Sequence, residues 1–218
     1  KREARKAAGG ASTLGGSKSV HATVSISQNG GEYTTEAKRG MAAIHKTHGD
    51  GTMKKTRVTL PKLAVLENPR ADGVYKVRTG DIALSSGGYR TSTTAVTMAH
   101  EFGHKIDYQG VQTHSGEALA KRRAVINALK NTPTFEKIWS KTKGKDAAFY
   151  NYLSEGREVF ARGYAQYVAR RSQDAKMLDV VNGYARFEGT QWEDKEFADS
   201  GAEEAFDDLF RTLGWEVK

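Results

Sequence analysis

The pentapeptide His100-Glu101-Phe102-Gly103-His104 places the strongest constraint on this chain. Residues four apart lie on one face of an α-helix, so both imidazoles can reach a single metal ion. Glu101 lies about 100° further round the helix, where its carboxylate cannot comfortably share the ion but can hold a water molecule bound to it. The pentapeptide therefore predicts half of a metal site, with Glu101 as the candidate general base.

The flanking sequence favours a packed helix over a surface helix that carries two unrelated histidines. Thr91 or Ser92 can cap the helix, which we expect to run from about Ser92 to Tyr108. His100 and His104 fall at the edge of its apolar stripe, where a cleft can meet the core. The stripe consists of Ala95, Val96, Ala99, Phe102, Gly103 and Ile106.

The composition restricts the ligands that a metal can have. The chain has no cysteine, so a metal must be held by His, Asp or Glu. Its 38% of hydrophobic residues are adequate for a core. No apolar run is long enough to predict a membrane span, and the basic first ten residues lack the apolar stretch of a signal peptide. Because the chain does not begin with Met, we expect a processed piece of a longer protein, such as a secreted or particle-delivered domain.

The net charge of +8 is unevenly distributed. Residues 1–187 carry 31 Lys and Arg against 16 Asp and Glu, whereas residues 188–218 carry 3 against 10. A basic body can meet nucleic acid, an anionic membrane or an acidic protein. We favour a solvated surface that the acidic C-terminal segment partly neutralises. Nucleic-acid binding is not predicted, since no aromatic and basic motif of a known module is present.

The domain organisation follows from changes in composition. Residues 1–19 are Gly-rich and basic and predict a flexible tether, and residues 20–218 are expected to form one domain. Short β segments and the metal helix occupy residues 20–110, and helical patterns dominate residues 111–218. We therefore expect an α+β fold, with a small mixed β-sheet lobe and a mainly helical C-terminal lobe. Val77 to Ser85 is the candidate edge strand, either for binding a peptide or merely facing solvent.

A catalytic zinc site needs a third protein ligand and an open position. The extended pattern H-E-x-x-H-x-x-G-x-x-H would need Gly at 107 and His at 110, but the chain has Asp107 and Gly110. His114 fits no established spacing, although a loop could bring it in. Asp107 could orient a histidine, but we interpret it as an ordinary helix-surface acid. His45 and His48, near the end of a helix predicted over 32–47, are interpreted as solvated.

Better candidates for the third ligand lie in residues 154–161. If Ser154 caps a helix, Glu158 falls in its second turn and can point across at the histidines while Phe160 packs inward. Glu155 is the alternative ligand. Both acids also fit the ordinary preference of carboxylates for the first turns of a helix, where they offset the macrodipole.

The order Glu158-Val159-Phe160-Ala161, followed by Tyr164 and placed 54 residues after the second histidine, resembles the third-ligand helix of the gluzincins. Within that group it is similar to the lethal-factor-like metalloproteases, which include the Pro-Pro endopeptidases. The strong similarity covers only residues 100–104 and 158–164. The order of strands, metal helix and glutamate helix is similar as well, and the resemblance implies a zincin-like fold.

The resemblance also implies the roles of individual residues. It implies a zinc metalloendopeptidase in which Zn²⁺ is held by His100, His104 and Glu158. Glu101 would be the general base. Members of the group place a tyrosine about seven residues before the glutamate, where its hydroxyl supports the oxyanion.

The position of that tyrosine is occupied by Asn151, which lies between Tyr150 and Tyr152. We expect Tyr152 to take the role, because it falls just outside the predicted helix and is free to swing towards the metal. The departure by one residue leaves Tyr150 as the alternative.

Two functions are consistent with these patterns. The first is a zinc-dependent endopeptidase, as an effector, toxin or processing domain that acts on a protein or peptide substrate. The second is a non-proteolytic structural or binding domain with a zincin-like fold inside a larger virion or secreted assembly, where the basic surface would serve attachment.

Overall fold

The computed structural model describes residues 32–49, 63–66, 72–85, 92–112 and 116–217. The predicted tether at residues 1–19 lies outside these ranges. So do the candidate ligand His114 and residues 20–26, whose alternating pattern predicts a strand.

The described residues form nine α-helices and three β-strands. The helices are α1 (Glu32–His48), α2 (Thr94–Lys105), α3 (Gly116–Lys130), α4 (Pro133–Ser140), α5 (Ala147–Ser154), α6 (Gly156–Ser172), α7 (Ala175–Gly183), α8 (Asp194–Asp199) and α9 (Ala202–Thr212). The strands are β1 (Leu63–Val65), β2 (Gly73–Lys76) and β3 (Asp81–Leu84). Single π-helical turns extend α2 over Ile106–Val111 and α7 over Tyr184–Glu188, and a 3₁₀ turn follows α4 at Lys141–Lys143. None of the described helices is both long and apolar enough to cross a membrane.

The expected α+β fold with a β-sheet lobe is wrong. Helices hold most of the described residues, and their one sheet has three strands of three or four residues each. Short β-prone runs indicate strands, but they do not indicate how large a sheet the strands form. The sheet is a small cover on the helices rather than a lobe with its own core.

The expected edge strand at Val77 to Ser85 is also wrong. The strand order is β1-β3-β2, with β1 parallel and β2 antiparallel to β3. Ile82 of β3 pairs with Leu63 on one side and Tyr75 on the other, so β3 has no free edge. Residues 77–80 form the turn between β2 and β3. Within the described sheet, β2 is the outer strand on the side opposite β1.

Helix α2 lies at the centre of the described structure. It packs most extensively against α6 and also contacts α1, β2 and β3. Ala99 and Phe102 of its apolar stripe are completely buried, and so is the neighbouring Met98. Such all-round packing explains why a short helix can present two histidines in a fixed orientation.

Helix α1 ends in a buried histidine rather than a solvated one. His48 is completely buried, with its Nε2 atom 3.0 Å from the Tyr164 hydroxyl oxygen. Its ring meets Phe210 and Trp215 edge-on. Burial lowers the pKa of His48 to about 3, so the imidazole is neutral. The solvated interpretation of His48 is wrong because the C-terminal residues cover the end of α1, which no local pattern indicates.

The contact between α1 and α2 depends on a residue without a side chain. An ideal Cβ on Gly40 would lie 2.7 Å from the Ala95 carbonyl oxygen and 2.9 Å from Met98 Cβ. Both obstacles belong to or adjoin the α2 backbone, so they cannot rotate away. We expect Gly40→Ala to lower the free energy of unfolding by about 1–3 kcal/mol through overpacking.

The matched control is Gly183→Ala, at a helical position where an added Cβ meets nothing within 4 Å. It should leave stability unchanged or raise it slightly, because alanine favours helix. Chemical denaturation of both variants tests the prediction. Equal stability of the two would contradict it.

Candidate metal centre

Three candidate ligands converge between α2 and α6. His100 and His104 project from successive turns of α2, and Glu158 projects from the first turn of α6. The two histidine Nε2 atoms are 3.2 Å apart. His100 Nε2 lies 3.5 Å from Glu158 Oε2, and His104 Nε2 lies 3.3 Å from Glu158 Oε1. These donors form a buried cluster that could hold a metal ion.

The separations fit one ion shared by all three groups. Ligand atoms about 2.0–2.1 Å from a tetrahedral ion stand about 3.3 Å from one another. The two imidazole rings are nearly perpendicular, at 89°, so the rings do not stack and their Nε2 atoms can face one ion. The distances between the donor atoms therefore match those within a tetrahedral coordination shell.

The electrostatic state of Glu158 also suits a ligand. Burial by itself would raise the pKa of its carboxyl, but the contacts with His100 and His104 outweigh that effect and hold the pKa well below the ordinary value. The group is therefore a carboxylate at neutral pH. Its Oε2 atom is buried and makes no well-aligned hydrogen bond within the described residues, which leaves a lone pair for a cation.

Glu101 is held apart from the three ligands by strand β2. Its carboxylate accepts a hydrogen bond from the Tyr75 backbone amide. An ideal Cβ on Gly73 would lie 2.9 Å from Glu101 Oε1, so β2 crosses the carboxylate where only glycine fits. Burial raises the pKa of Glu101, and the nearby His100 and His104 partly offset the rise. A fixed carboxylate with raised proton affinity is suited to act as a general base.

The structure places only one of the two candidate tyrosines at the centre. Tyr152 lines one cavity together with Glu101, His104 and Glu158. Burial and then the charge of Glu158 raise the pKa of Tyr152, so its hydroxyl remains a proton donor. Tyr150 instead lies under Lys141, whose ammonium is 4.9 Å from its ring centre and 3.3 Å from its hydroxyl oxygen.

The other candidate acids lie in different environments. Glu155 is exposed and pairs with Arg157 at 2.7 Å, away from the histidines. Ser154 does not cap α6, because it ends α5 and donates its hydroxyl to the Asn151 carbonyl. The N-cap position of α6 is Glu155, which makes no side-chain capping bond.

Asp107 is not the surface acid that its sequence position suggests. It is completely buried in the π-helical turn that follows α2. Both of its oxygens accept hydrogen bonds from Arg122 of α3, at 2.5 and 2.6 Å. The pair ties α3 to the turn immediately after His104, and the negative charge of Asp107 favours a protonated or metal-bound His104 imidazole.

Sequence reasoning missed a buried arginine beside the cluster. Arg162 lies one turn after Glu158 and donates to the carbonyl oxygens of Leu153 and Thr190. Burial lowers its pKa to about 10, which still leaves it charged at neutral pH. The bonds fix the end of α5, next to Tyr152, against α6. No local signal could have found this role, because both acceptors are backbone atoms and Thr190 is remote in sequence.

Two cavities flank the three candidate ligands. One, of about 400 Å³, extends from His100 between Val96, Leu153 and Ala165. The other, of about 210 Å³, lies beside His104 and Tyr108. Both cavities are lined by Gly73, Glu101 and Tyr152.

Comparisons of the chain with protein-family models, curated proteins and solved structures find no match. The functional interpretation therefore depends on the geometry and chemistry of the site.

Removing the Glu158 carboxylate should abolish the metal site. We expect Glu158→Gln to reduce metal affinity by more than about 100-fold, since even residues that only support a ligand cost 10–100-fold. Glu155→Gln is the matched control, because Glu155 lies on the same segment but faces Arg157, and it should retain wild-type affinity. Equilibrium dialysis with elemental analysis measures both. Wild-type affinity in Glu158→Gln, or its loss in Glu155→Gln, would contradict the assignment.

Proposed function

We propose that the protein is a zinc-dependent endopeptidase. The observation that supports it most directly is the arrangement of His100, His104 and Glu158 around one point, with the buried Glu101 carboxylate held next to them but outside the ligand set. Three ligands and an independent base are the components that metal-assisted hydrolysis requires.

Zinc is the metal we propose. Two imidazoles and one carboxylate form a mixed nitrogen and oxygen donor set, which suits zinc better than magnesium or calcium, whose ligands are nearly all oxygens. Three protein ligands also leave the fourth tetrahedral position open. The sequence motifs that carry these three ligands also resemble those of the gluzincins.

A bound zinc ion would supply a Lewis acid and would lower the pKa of a water molecule towards neutrality. Glu101 would take the proton from the attacking water and pass it to the leaving amine nitrogen of the cleaved peptide bond. The Tyr152 hydroxyl would donate a hydrogen bond to the carbonyl oxygen as negative charge develops on it. For this, the Tyr152 hydroxyl would turn from the nearby Glu158 carboxylate towards the substrate.

Cleavage within a chain, rather than at its end, is favoured by the cavities on both sides of the cluster. A peptide that crosses Glu101 would have room for side chains beside His100 and beside His104. The larger cavity is lined mainly by apolar groups such as Val96 and Leu153, which suits an apolar side chain next to the cleaved bond. We propose β2, rather than residues 77–85, as the strand alongside which the peptide lies.

Replacing the proposed base should separate metal binding from hydrolysis. We expect Glu101→Gln to bind zinc as the wild type does while peptide hydrolysis falls by about 10²–10⁴-fold, because the amide cannot accept the proton. Digestion of a peptide library by the zinc-loaded proteins, beside Glu155→Gln as a control, measures the loss and reads the cleavage preference. Wild-type activity in Glu101→Gln would refute the mechanism. A zinc-loaded wild type that cleaves no peptide would favour a non-proteolytic binding domain.

The two tyrosines offer a matched test of oxyanion stabilisation. We expect Tyr152→Phe to lower kcat by about 10²–10³-fold with zinc affinity nearly unchanged, as for the loss of one oxyanion donor. Tyr150→Phe should leave kcat unchanged, since its hydroxyl contacts only Lys141 among the described residues. Kinetics on a cleaved peptide from the library would measure both. A loss of kcat in Tyr150→Phe alone would reverse the assignment.

A further inference from the structure

A tryptophan among lysines forms an exposed surface remote from the metal ligands in sequence. We name it the Trp139 surface and define it by Trp139, Lys137, Lys141, Lys143 and Lys145, all exposed. Trp139 is 59% exposed, whereas the other two tryptophans of the chain, Trp192 and Trp215, are 0% and 3% exposed. An exposed indole offers a partner both an apolar body and a polar N–H group.

The Trp139 ring has a fixed support. It stacks on the buried Phe135, with ring centres 6.4 Å apart and planes at 18°. Lys130 covers Phe135 with its ammonium 5.1 Å from the ring centre. The indole therefore contacts Phe135 on its inner side and exposes its outer side to solvent.

The positive charge of this surface is not neutralised locally. Within the described residues, no ion pair joins Lys137, Lys143 or Lys145 to a carboxylate, and the Lys141 ammonium lies over the Tyr150 ring. The arginines of α6, by contrast, are paired, Arg170 with Glu203 and Arg171 with Asp207. Residues 136–146 carry four lysines against two acids, Glu136 and Asp146.

We propose that the Trp139 surface binds the protein peripherally to lipid bilayers that carry anionic headgroups. An indole prefers the boundary between headgroups and acyl chains, where its apolar body is covered and its N–H stays hydrated. The exposed lysines of the same short segment are attracted by the negative surface potential and can extend their ammonium groups to the headgroups. This binding is independent of the proposed peptidase activity.

The residue types favour a bilayer over the other anionic partners. The surface contains only lysines, whereas arginine is preferred for bidentate recognition of nucleic-acid phosphates and bases. Protein interfaces are likewise enriched in arginine and depleted of lysine. Diffuse attraction to a headgroup layer needs only mobile point charges, which lysines supply.

The position of Trp139 gives a direct assay, since the other two tryptophans are buried. The full chain is mixed with vesicles of phosphatidylcholine alone or of phosphatidylcholine with phosphatidylserine. We expect the mixed vesicles to shift tryptophan emission to shorter wavelength and to sediment with the protein, and added salt to weaken both effects. The pure phosphatidylcholine vesicles should produce neither.

Two variants locate the binding. The double variant Lys143→Glu with Lys145→Glu should lower partitioning about tenfold or more. Trp139→Ala should abolish the emission shift and weaken sedimentation. Lys195→Glu with Arg211→Glu makes the same change in net charge at exposed positions of α8 and α9 and should bind as the wild type does.

Three results would overturn the proposal. Equal loss in the control pair would show that net charge alone drives the binding. An absent emission shift with the mixed vesicles would show that Trp139 does not enter the interface. A shift produced by single-stranded RNA or polyglutamate but not by vesicles would identify a different anionic partner.

Discussion

The close packing of α2 against α6 is the contact on which the candidate metal centre depends. An ideal Cβ on Gly103 would lie 3.0 Å from the Ala161 Cα atom, so the glycine within the pentapeptide lets the two backbones approach. This approach brings Glu158 within 3.5 Å of both histidines. Two further contacts stabilise the arrangement. Arg122 fixes the turn after His104, and Arg162 fixes the residues before α6.

The centre concentrates buried charge, which requires compensation. Glu101, Glu158 and Asp107 are all buried within the residues that surround the histidines. Each has a different stabilising partner, because a buried carboxylate without one would be too costly. Asp107 has a guanidinium and Glu158 has two imidazoles in close contact. At Glu101, burial outweighs the stabilisation by the two nearby histidines and a backbone amide. The carboxylate with the weakest compensation is the one we propose as the base, and its pKa is raised accordingly.

The small sheet contributes to the site because one of its strands lies over Glu101. Strand β2 supplies Gly73 over the Glu101 carboxylate and the Tyr75 amide that orients it. The buried Lys105 donates to the Gly80 carbonyl in the turn after β2, at 2.5 Å, and so ties the hairpin to α2. A sheet too short to form a core of its own can therefore position a single carboxylate.

Local spacing alone determined that His100 and His104 share one face of a helix, with Glu101 apart from them. The helical period fixes which side of α2 carries His100 and His104, and the apolar pattern predicted α1 over 32–47 against the observed 32–48. The third ligand needed a second helix and a resemblance to select Glu158 over Glu155. The tertiary structure alone decided the mainly helical fold, the central place of β3 and the burial of His48 and Asp107. It also decided which tyrosine faces the centre. These features depend on contacts between residues far apart in sequence, such as Asp107 with Arg122 or Arg162 with Thr190, for which the chain carries no local periodic signal.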